Sequence, residues 1–280
     1  MIRLARIFLF GVLVFTVLFS SAQQYFANGD GKAVGGDCYE LTPDLPWKLG
    51  SVWYSDKIDI SKDFDLEFYL NFGNRDGGAD GIVFVMQTVG NKALGKAGGG
   101  LGFEGFKPSL GIEFDDFYNA DVGDITADHI AVQRDGSVKH NGADNIVKPV
   151  TARADGGNIE DGQDHLVRIV WEVATKRLTV YFDCEQRIST GIDLEGDIFK
   201  NTTEVFWGFT AATGGLNNRQ RACLRKDILV PKNTALCKGD SIFLNARESS
   251  DGLYTWKPNL YLNDATVRTP ICSSTVPMEY

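Results

Sequence analysis

The sequence feature that most constrains the fold is a strict two-residue alternation of apolar and polar side chains over residues 64–72. Phenylalanine or leucine occupies each even-numbered position, and aspartate, glutamate, tyrosine or asparagine occupies each odd-numbered one. Because successive side chains of a strand point to opposite faces, this alternation predicts a β-strand with one buried and one solvated face. Residues 82–86 form an unbroken apolar run, which predicts a strand covered on both sides.

Other segments repeat the strand signal. Residues 165–173 and 177–182 are two further candidate strands that the short link at 174–176 joins into a hairpin, and residues 204–210 add another. Beyond the amino terminus, no segment shows helical periodicity over more than about two turns. Thirty-one glycines and many aromatic residues suit an all-β chain with frequent turns. We therefore expect a β-sandwich.

The amino terminus has the composition of a secretory signal peptide. Two arginines precede an apolar run over residues 7–19, and the small residues 20–22 offer a cleavage site. The run is short for a bilayer-spanning helix, which needs roughly 20 residues, so a membrane anchor is the weaker alternative. We predict a signal peptide at 1–22 with cleavage near Ala22, and a mature chain that is secreted or at the cell surface, without a transmembrane segment.

Length and charge narrow the choice of partner. The 280 residues carry a formal charge of -9 and have a pI near 4.9, which disfavours nucleic acid as a ligand. At a typical ~100–200 residues per domain, the chain has room for one large domain and a piece of another.

Five cysteines in an oxidising compartment predict disulfides, with one thiol left over. Cys237 and Cys272 both lie in the carboxyl-terminal part and are expected to pair. Cys38, near the mature amino terminus, and Cys223, on a late strand, are expected to join the ends of the first domain. This assignment leaves Cys184 free, and a bond between Cys184 and Cys223 is the alternative.

Residues 111–135 concentrate acidic side chains between two apolar segments. In an extended strand alternate side chains share a face, so one face is expected to carry Glu113, Asp115, Phe117 and Asn119, with Asp124 and His129 returning on the next segment. Carboxylates placed in this way repel each other unless a divalent cation binds them. Oxygen ligands suit Ca²⁺, and an added imidazole suits Mn²⁺ or another transition ion. A solvated acidic strand edge is the alternative, and the residue types alone leave both open.

The order Glu-Phe-Asp-x-Phe-Tyr-Asn, followed by an aspartate and a histidine, resembles the metal-binding loop of the legume-type (L-type) lectins. The resemblance implies a jelly-roll, concanavalin-like β-sandwich over residues 23–229. It also implies two cation sites that share two aspartates. The implied ligands are Glu113, Asp115, Asp124 and His129 for a transition-metal ion such as Mn²⁺, and Asp115, the Phe117 carbonyl, Asn119 and Asp124 for Ca²⁺.

The same resemblance assigns a carbohydrate site to the neighbouring loops. Ala-Asp-Gly at 79–81 matches the family's sugar-binding aspartate at Asp80, and implies a cis peptide bond before that residue. The glycine-rich segment 95–105 resembles the loop whose glycine N–H donates to a sugar hydroxyl, here Gly99, with Gly100 as the alternative. Residues 100–105 also fit the dinucleotide fingerprint by letter, but no helix follows, so we reject that interpretation.

A third loop follows residues 207–214, which are similar to the family's Gly-Phe-Ser-Ala-Ala-Thr-Gly signature. The residues after this signature vary among relatives, so Gly215, Leu216 and Asn217 are expected to line the rim of the site. Phe117 would stack on the apolar face of a sugar ring, and the Asn119 amide would donate to a hydroxyl. The implied function is non-catalytic, metal-dependent carbohydrate binding for adhesion or glycan capture, with homo-oligomers as a possible source of avidity.

Two alternatives compete with a lectin. A glycoside hydrolase on a related jelly roll would use Glu113 and Asp115, but it needs a second glutamate shortly afterwards, where Phe117 and Tyr118 stand instead. A structural, Ca²⁺-stabilised adhesin module would keep the metal loop and leave Asp80 without a role. Glycan binding with and without a chelator separates the three.

Two further expectations concern the rest of the chain. Residues 230–280 resemble the opening strands of an immunoglobulin-like or PKD-like repeat, which suggests a partial module and a fragment of a larger surface protein of the secreted bacterial type. His140 and His165 are expected to be an ordinary loop residue and an ordinary strand-end residue.

Overall fold

The computed structural model describes residues 25–35, 37–224, 241–244 and 254–273. The chain divides into two compact units, Met1–Leu229 and Val230–Tyr280. The predicted signal peptide lies outside the described residues. Within the described residues, no helix has the length and apolar character needed to cross a membrane.

Strands dominate the part of the chain that the structure describes. In chain order they are β1 (Tyr25–Gly29), β2 (Lys32–Gly35), β3 (Cys38–Thr42), β4 (Leu49–Tyr54), β5 (Ile58–Asp59), β6 (Phe64–Asn71), β7 (Gly81–Gln87), β8 (Ser109–Asp115), β9 (His129–Arg134), β10 (Asn145–Thr151), β11 (His165–Glu172), β12 (Arg177–Phe182), β13 (Glu185–Gly191), β14 (Glu204–Ala212), β15 (Gln220–Leu224), β16 (Ile242–Phe243) and β17 (Ile271–Cys272). A 3₁₀ turn at Gly98–Gly100 and a π turn at Leu194–Ile198 are the helical elements among these residues.

The first unit is a sandwich of two antiparallel sheets, and this confirms the predicted all-β fold. The front sheet has the strand order β1-β4-β14-β7-β8-β9-β10, with β5 pairing to β14. The back sheet has the order β13-β12-β11-β6-β15-β3-β2. Several neighbours in these orders are distant in sequence, as when β14 pairs with both β4 and β7. Connections that pass from one sheet to the other in this way are characteristic of a jelly roll.

The core lies between the sheets and follows the alternation of the sequence. Strand β6 alternates buried and half-buried residues along its whole length, as predicted. Its Phe68 stacks on Phe84 of the front sheet, with ring centroids 5.8 Å apart, and meets Phe209 edge-to-face at 4.6 Å. Such aromatic contacts stabilise a core by about 0.5–1.5 kcal/mol beyond the burial of their area.

A second apolar layer covers the outer face of the front sheet. Val83 and Val85 point away from the sandwich and are buried under Phe103, which belongs to the glycine-rich loop. Strand β7 is therefore covered on both sides, as its unbroken apolar run predicted. The loop comes so close to the sheet that a Cβ at Gly111 would lie 2.7 Å from the Phe103 ring, so only glycine fits there.

The disulfide between Cys38 and Cys223 is confirmed, and it joins β3 to β15 in the back sheet. Cys184 is exposed and is not part of a disulfide among the described residues, as predicted. The expected Cys237–Cys272 pair involves Cys237, which lies outside the described residues.

The second unit is described only in part. Its two short strands β16 and β17 pair in an antiparallel manner. The immunoglobulin-like or PKD-like assignment of this unit stays a prediction.

Candidate metal centre and adjoining carbohydrate site

The register of the front sheet brings the predicted site residues to one edge. Gly81, at the start of β7, is paired with Asp115, at the end of β8, and Asp115 is paired with His129, at the start of β9. On the other side of β7, Gly81 is paired with Ala212, at the end of β14. The loops that contain Asp80, the acidic segment and the third predicted loop therefore meet at this edge.

Five buried side chains form what we call the ligand cluster: Glu113, Asp115, Asp124, His129 and His140. Two groups of three within it, Glu113 with both histidines and Asp115 with Asp124 and His129, each have one donor atom per residue within 4.8 Å of the others. The Asp124 Oδ1 atom is fully buried and makes no well-aligned hydrogen bond. Carboxylate oxygens and imidazole nitrogens converging in this way fit divalent cations.

His140 is the member of the cluster that sequence reasoning missed. It follows β9 in a loop, where its backbone N–H donates to the Val122 carbonyl at 2.9 Å. Its side chain is 3 % exposed, and Nε2 lies 2.9 Å from Oε1 of Glu113. The expectation of an ordinary loop residue was therefore wrong. The only signal in the sequence was that the chain has three histidines and that this one follows the acidic segment closely.

Burial and mutual charge set the ionisation of the cluster. Burial and the charges of Glu113 and Asp124 raise the pKa of Asp115 well above its usual value. Burial would also raise the pKa of Glu113, but hydrogen bonds and attraction from His129 and His140 lower it. Burial would lower the pKa of His140, but the Asp124 and Glu113 carboxylates, 3.1 Å and 2.9 Å from its Nε2, raise it to about 10. The cluster therefore favours added positive charge beside Asp115.

The predicted strand does not continue to Phe117 and Asn119, and that expectation was wrong. Strand β8 ends at Asp115, because the Asp115 carboxylate accepts from the Phe117 N–H at 2.8 Å and turns the chain away from the sheet. The Asn119 N–H donates to Oδ2 of Asp124 at 2.5 Å. Both residues thus remain beside the ligand cluster through loop hydrogen bonds, and the alternation of a strand does not place them there.

Asp80 lies where the resemblance placed it, and the peptide bond between Ala79 and Asp80 is cis, as predicted. Its backbone N–H donates to the Ala212 carbonyl at 3.1 Å. Burial raises the pKa of the Asp80 carboxyl to about 7, although a backbone hydrogen bond from Gly214 opposes this rise. Its Oδ2 atom is buried without a hydrogen-bond partner. Asp80 therefore presents an unsatisfied acceptor beside the glycine-rich loop.

Glycines connect Asp80 to the ligand cluster. A Cβ at Gly214 would lie 3.3 Å from Oδ2 of Asp80 and 3.6 Å from the Cα of Gly98. A Cβ at Gly99 would lie 3.2 Å from Oδ1 of Asn119. The predicted residues Asp80, Gly99 and Asn119 are consequently neighbours around one surface, with Gly214 at its floor.

The predicted rim residues Gly215 and Leu216 are both exposed, and Leu216 is 50 % exposed. Side-chain interactions through Asp44 link the loop that carries them to the loop that precedes Asp80. Arg75 forms an ion pair with Asp44, and Asp44 accepts from the Asn217 side chain at 2.6 Å. These interactions hold the rim loop in place, and the exposed side chain of Leu216 remains accessible to a ligand.

A second group of acidic residues, which we call the carboxyl cluster, consists of the buried Asp116 and Glu160 and the half-buried Asp128. All four carboxylate oxygens of Asp116 and Glu160 are buried without a well-aligned hydrogen bond. Burial and the charges of Glu160, Asp128 and Asp80 raise the pKa of Asp116 well above its usual value. Burial and the charge of Asp128 raise the pKa of Glu160 to about 8.

The two-sheet jelly roll thus brings a cluster of carboxylates and imidazoles and the loops around Asp80 to one edge of the front sheet. The family model of the legume lectin β-barrel domain matches residues 19–226. The chain belongs to this family, whose members are non-enzymatic sugar-binding proteins.

Solved structures show the same fold. Basic winged bean lectin with Tn-antigen is 22 % identical, with a TM-score of 0.56, over 71 % of this chain and 88 % of that one. A Griffonia simplicifolia lectin in a metal-free form is 22 % identical, with a TM-score of 0.59, over 74 % and 93 % of the two chains. Peanut lectin with a nine-residue peptide is 22 % identical, with a TM-score of 0.59, over 75 % and 92 %.

Proposed function

We propose that this protein is a secreted lectin that binds carbohydrate reversibly at the cell surface, for adhesion or glycan capture, with Ca²⁺ and a transition-metal ion as structural cofactors. The observation that supports it is the closeness of the sugar-facing groups to the ligand cluster. A backbone hydrogen bond joins Gly214 to Asp80, a Cβ at Gly99 would lie 3.2 Å from Oδ1 of Asn119, and the Asn119 N–H donates to Asp124. Recognition and cation binding therefore depend on the same loop.

In this proposal the ligand cluster holds two cations. Glu113 and His129 contribute to the transition-metal ion, the Phe117 carbonyl and Asn119 contribute to Ca²⁺, and Asp115 and Asp124 serve both. The bound cations would supply the positive charge that offsets the buried carboxylates. This charge fixes the loop that contains Phe117 and Asn119, so that these residues face Asp80.

The side chains around the surface match the chemistry of a sugar. Hydroxyl groups both donate and accept, so an ionised Asp80 accepts two hydrogen bonds, and the Asn119 amide and the Gly99 N–H donate. Phe117, which is half-buried, stacks on the apolar face of the ring. Hydrogen bonds to charged groups stabilise by about 1.5–3 kcal/mol each before ordering costs, so a single site binds weakly. Repeated sites in a homo-oligomer or a larger surface protein would raise avidity.

The geometry gives no support to the hydrolase alternative. Glu113 is 2 % exposed, and both histidines of the ligand cluster lie against it. A catalytic carboxyl must reach the scissile bond, whereas this one is committed to the buried cluster.

A glycan array tests the proposal, using the whole chain with Ca²⁺ and Mn²⁺, the chain after EDTA treatment, and the variants Asp80→Ala and Asp80→Asn. We expect glycan binding that EDTA and either variant reduces to background. Asp121→Asn is the matched control, because Asp121 is exposed in the same acidic loop and is outside the ligand cluster. Binding that survives both EDTA and Asp80→Ala would overturn the mechanism, and cation binding without any glycan binding would support the structural adhesin instead.

A further inference from the structure

We propose that His140 is a direct ligand of the transition-metal ion, and that this second imidazole makes the site select Zn²⁺ over Mn²⁺. The inference rests on the transition-metal site proposed above, and it concerns a residue that the family resemblance did not assign to that site. It rests on the positions of four donor atoms and on the hydrogen bonds at the far nitrogen of each histidine.

The donor atoms of the cluster are spaced as ligands of one ion. The Nε2 atom of His140 lies 2.9 Å from Oε1 of Glu113, 3.1 Å from Oδ1 of Asp124 and 3.3 Å from Nε2 of His129. Adjacent ligands at metal distances of about 2.0–2.2 Å are separated by roughly 3.0–3.5 Å. The His140 donor atom therefore lies within 3.3 Å of the other three.

Both imidazoles are oriented as in metal sites. The Nδ1 atom of His129 lies 3.2 Å from the Ala127 carbonyl oxygen, to which its N–H donates. The Nδ1 atom of His140 lies 3.3 Å from Oδ1 of Asn145, the oxygen to which its N–H donates in the metal-bound tautomer, and 2.9 Å from Nε2 of Gln133, an amide donor that favours the other tautomer. A metal-bound histidine characteristically donates its other N–H to an oxygen, which fixes the tautomer. Each ring then directs the lone pair of Nε2 into the cluster.

Because both imidazoles are buried, their close approach bears on whether a cation binds between them. The side chains of His129 and His140 are 1 % and 3 % exposed, so water does not separate them from the carboxylates. Two Nε2 lone pairs 3.3 Å apart repel each other unless a proton or a cation lies between them and the carboxylates. A cation satisfies both rings, Glu113 and Asp124 together.

A second imidazole changes which cation fits best. Oxygen-rich sites suit Mn²⁺, whereas imidazole suits Zn²⁺ and its neighbours, and for a given donor set affinity rises from Mn²⁺ towards Cu²⁺. Two neutral imidazoles with Glu113 and Asp124 form a mixed nitrogen and oxygen set that suits Zn²⁺. We therefore expect Zn²⁺ to displace Mn²⁺ from this site and to leave the Ca²⁺ site unaffected.

The competing role for His140 is structural, as a protonated side chain that pairs with the two carboxylates in place of a metal. The two roles differ in a direct readout. With Co²⁺ as a paramagnetic probe, each ligating histidine gives one exchangeable, strongly shifted Nδ1–H proton signal in NMR. A ligand role for His140 predicts two such signals in the metal-stripped whole chain reloaded with Co²⁺, and a structural role predicts one.

Calorimetric titration of the metal-stripped whole chain with Zn²⁺ and with Mn²⁺ measures how much more tightly the site binds Zn²⁺ than Mn²⁺. We expect His140→Gln to weaken Zn²⁺ binding by at least about 10-fold, since even the loss of an outer hydrogen-bond partner costs about 10–100-fold in metal affinity. Mn²⁺ binding should change less, and one of the two Co²⁺-shifted signals should disappear. His165→Gln is the matched control, because it removes an equally buried imidazole outside the cluster.

One shifted proton signal in the unmodified chain, or a Zn²⁺ affinity that does not exceed that for Mn²⁺, would overturn the inference even if the His140 variant failed to fold. These measurements use no sugar. Two shifted signals without glycan binding would support the role of His140 and refute the proposed function, whereas glycan binding with one shifted signal would do the reverse.

Discussion

Asp115 and Asp116 are adjacent in the chain, yet they belong to two acidic groups that differ in which neighbours are available to offset their negative charge. Asp115 lies in the ligand cluster, where two imidazoles face the carboxylates. Asp116 lies in the carboxyl cluster, where the charges that act on it come from Glu160, Asp128 and Asp80. The comparison contrasts two acidic groups at one strand end: imidazoles lie beside the carboxylates of the first, whereas in the second burial and neighbouring carboxylates raise the pKa of Asp116, which favours a bound proton.

The difference has a geometric origin. Strand β8 ends at Asp115, and Asp116 belongs to the loop that follows it. Asp115 faces the loop that returns through Asp124 to His129, whereas Asp116 faces Glu160, which comes from a distant connection. Replacing Asp115 and Asp116 one at a time tests separately how the charge of each buried carboxylate is offset.

The largest effect is expected from Asp115→Asn, because this residue is placed in both cation sites. We predict that glycan binding falls to background, and that the rise in melting temperature on adding Ca²⁺ disappears, since a ligand that binds only the folded state stabilises it. Asp116→Asn makes the same change one residue later, and it should retain cation and glycan binding. Equal losses in the two variants would contradict the separation of the clusters.

Asn119→Ala should have the next largest effect, because Asn119 would serve both the Ca²⁺ ion and the sugar. We expect Ca²⁺ affinity and glycan affinity to fall together, each by about 10–100-fold. Titration calorimetry with Ca²⁺ and with a glycan identified on the array measures the two losses. Asn91→Ala, outside the site, is the control, and a loss of glycan binding with unchanged Ca²⁺ affinity would show that Asn119 contacts the sugar alone.

Glu160→Gln tests proton compensation in the carboxyl cluster. Because the folded-state pKa of Glu160 is raised to about 8, its neutral form stabilises the fold at low pH, and this stability is lost as pH rises from about 4.5 through 8. Glutamine keeps the donor and does not ionise, so the variant should gain stability relative to the unmodified chain between pH 5 and pH 8. We expect a gain on the order of 1–3 kcal/mol at pH 8. Urea unfolding at the two pH values measures it, and a gain of equal size at both would count against the raised pKa.

The smallest effect is expected at His165, a buried imidazole that pairs with carboxylates outside both clusters. Its Nδ1 lies 2.8 Å from Oδ2 of Asp183, and the Asp183 carboxylate raises its pKa although burial opposes the rise. The protonated form therefore stabilises the fold fully below the unfolded pKa of about 6.5, and this stability is lost as pH rises through the folded value. His165→Gln should be less stable at pH 6 by about 1–2 kcal/mol, with a smaller difference at pH 9. A difference that grows with pH would contradict this assignment.

Much of the fold could be predicted because the core follows local rules. The alternation in residues 64–72 became β6, and the apolar run at 82–86 became the doubly covered β7. The candidate site followed from local motifs in the same way, since Asp80, Asp115 and His129 lie at the paired ends of three strands. Phe117 and Asn119 do lie beside the ligand cluster, but loop hydrogen bonds hold them there and the predicted strand alternation does not.

The sequence by itself determined the strands, the acidic segment and the family, because each depends on residues that are close together in the chain. Only the tertiary structure decided that His140 joins Glu113 and Asp124, and that Glu160 lies near Asp116. Those contacts depend on how loops between non-adjacent strands return to the same edge of a sheet, and no local periodicity encodes that return. The ionisation of both acidic clusters depends on these contacts, because burial and neighbouring charges set the pKa of each group.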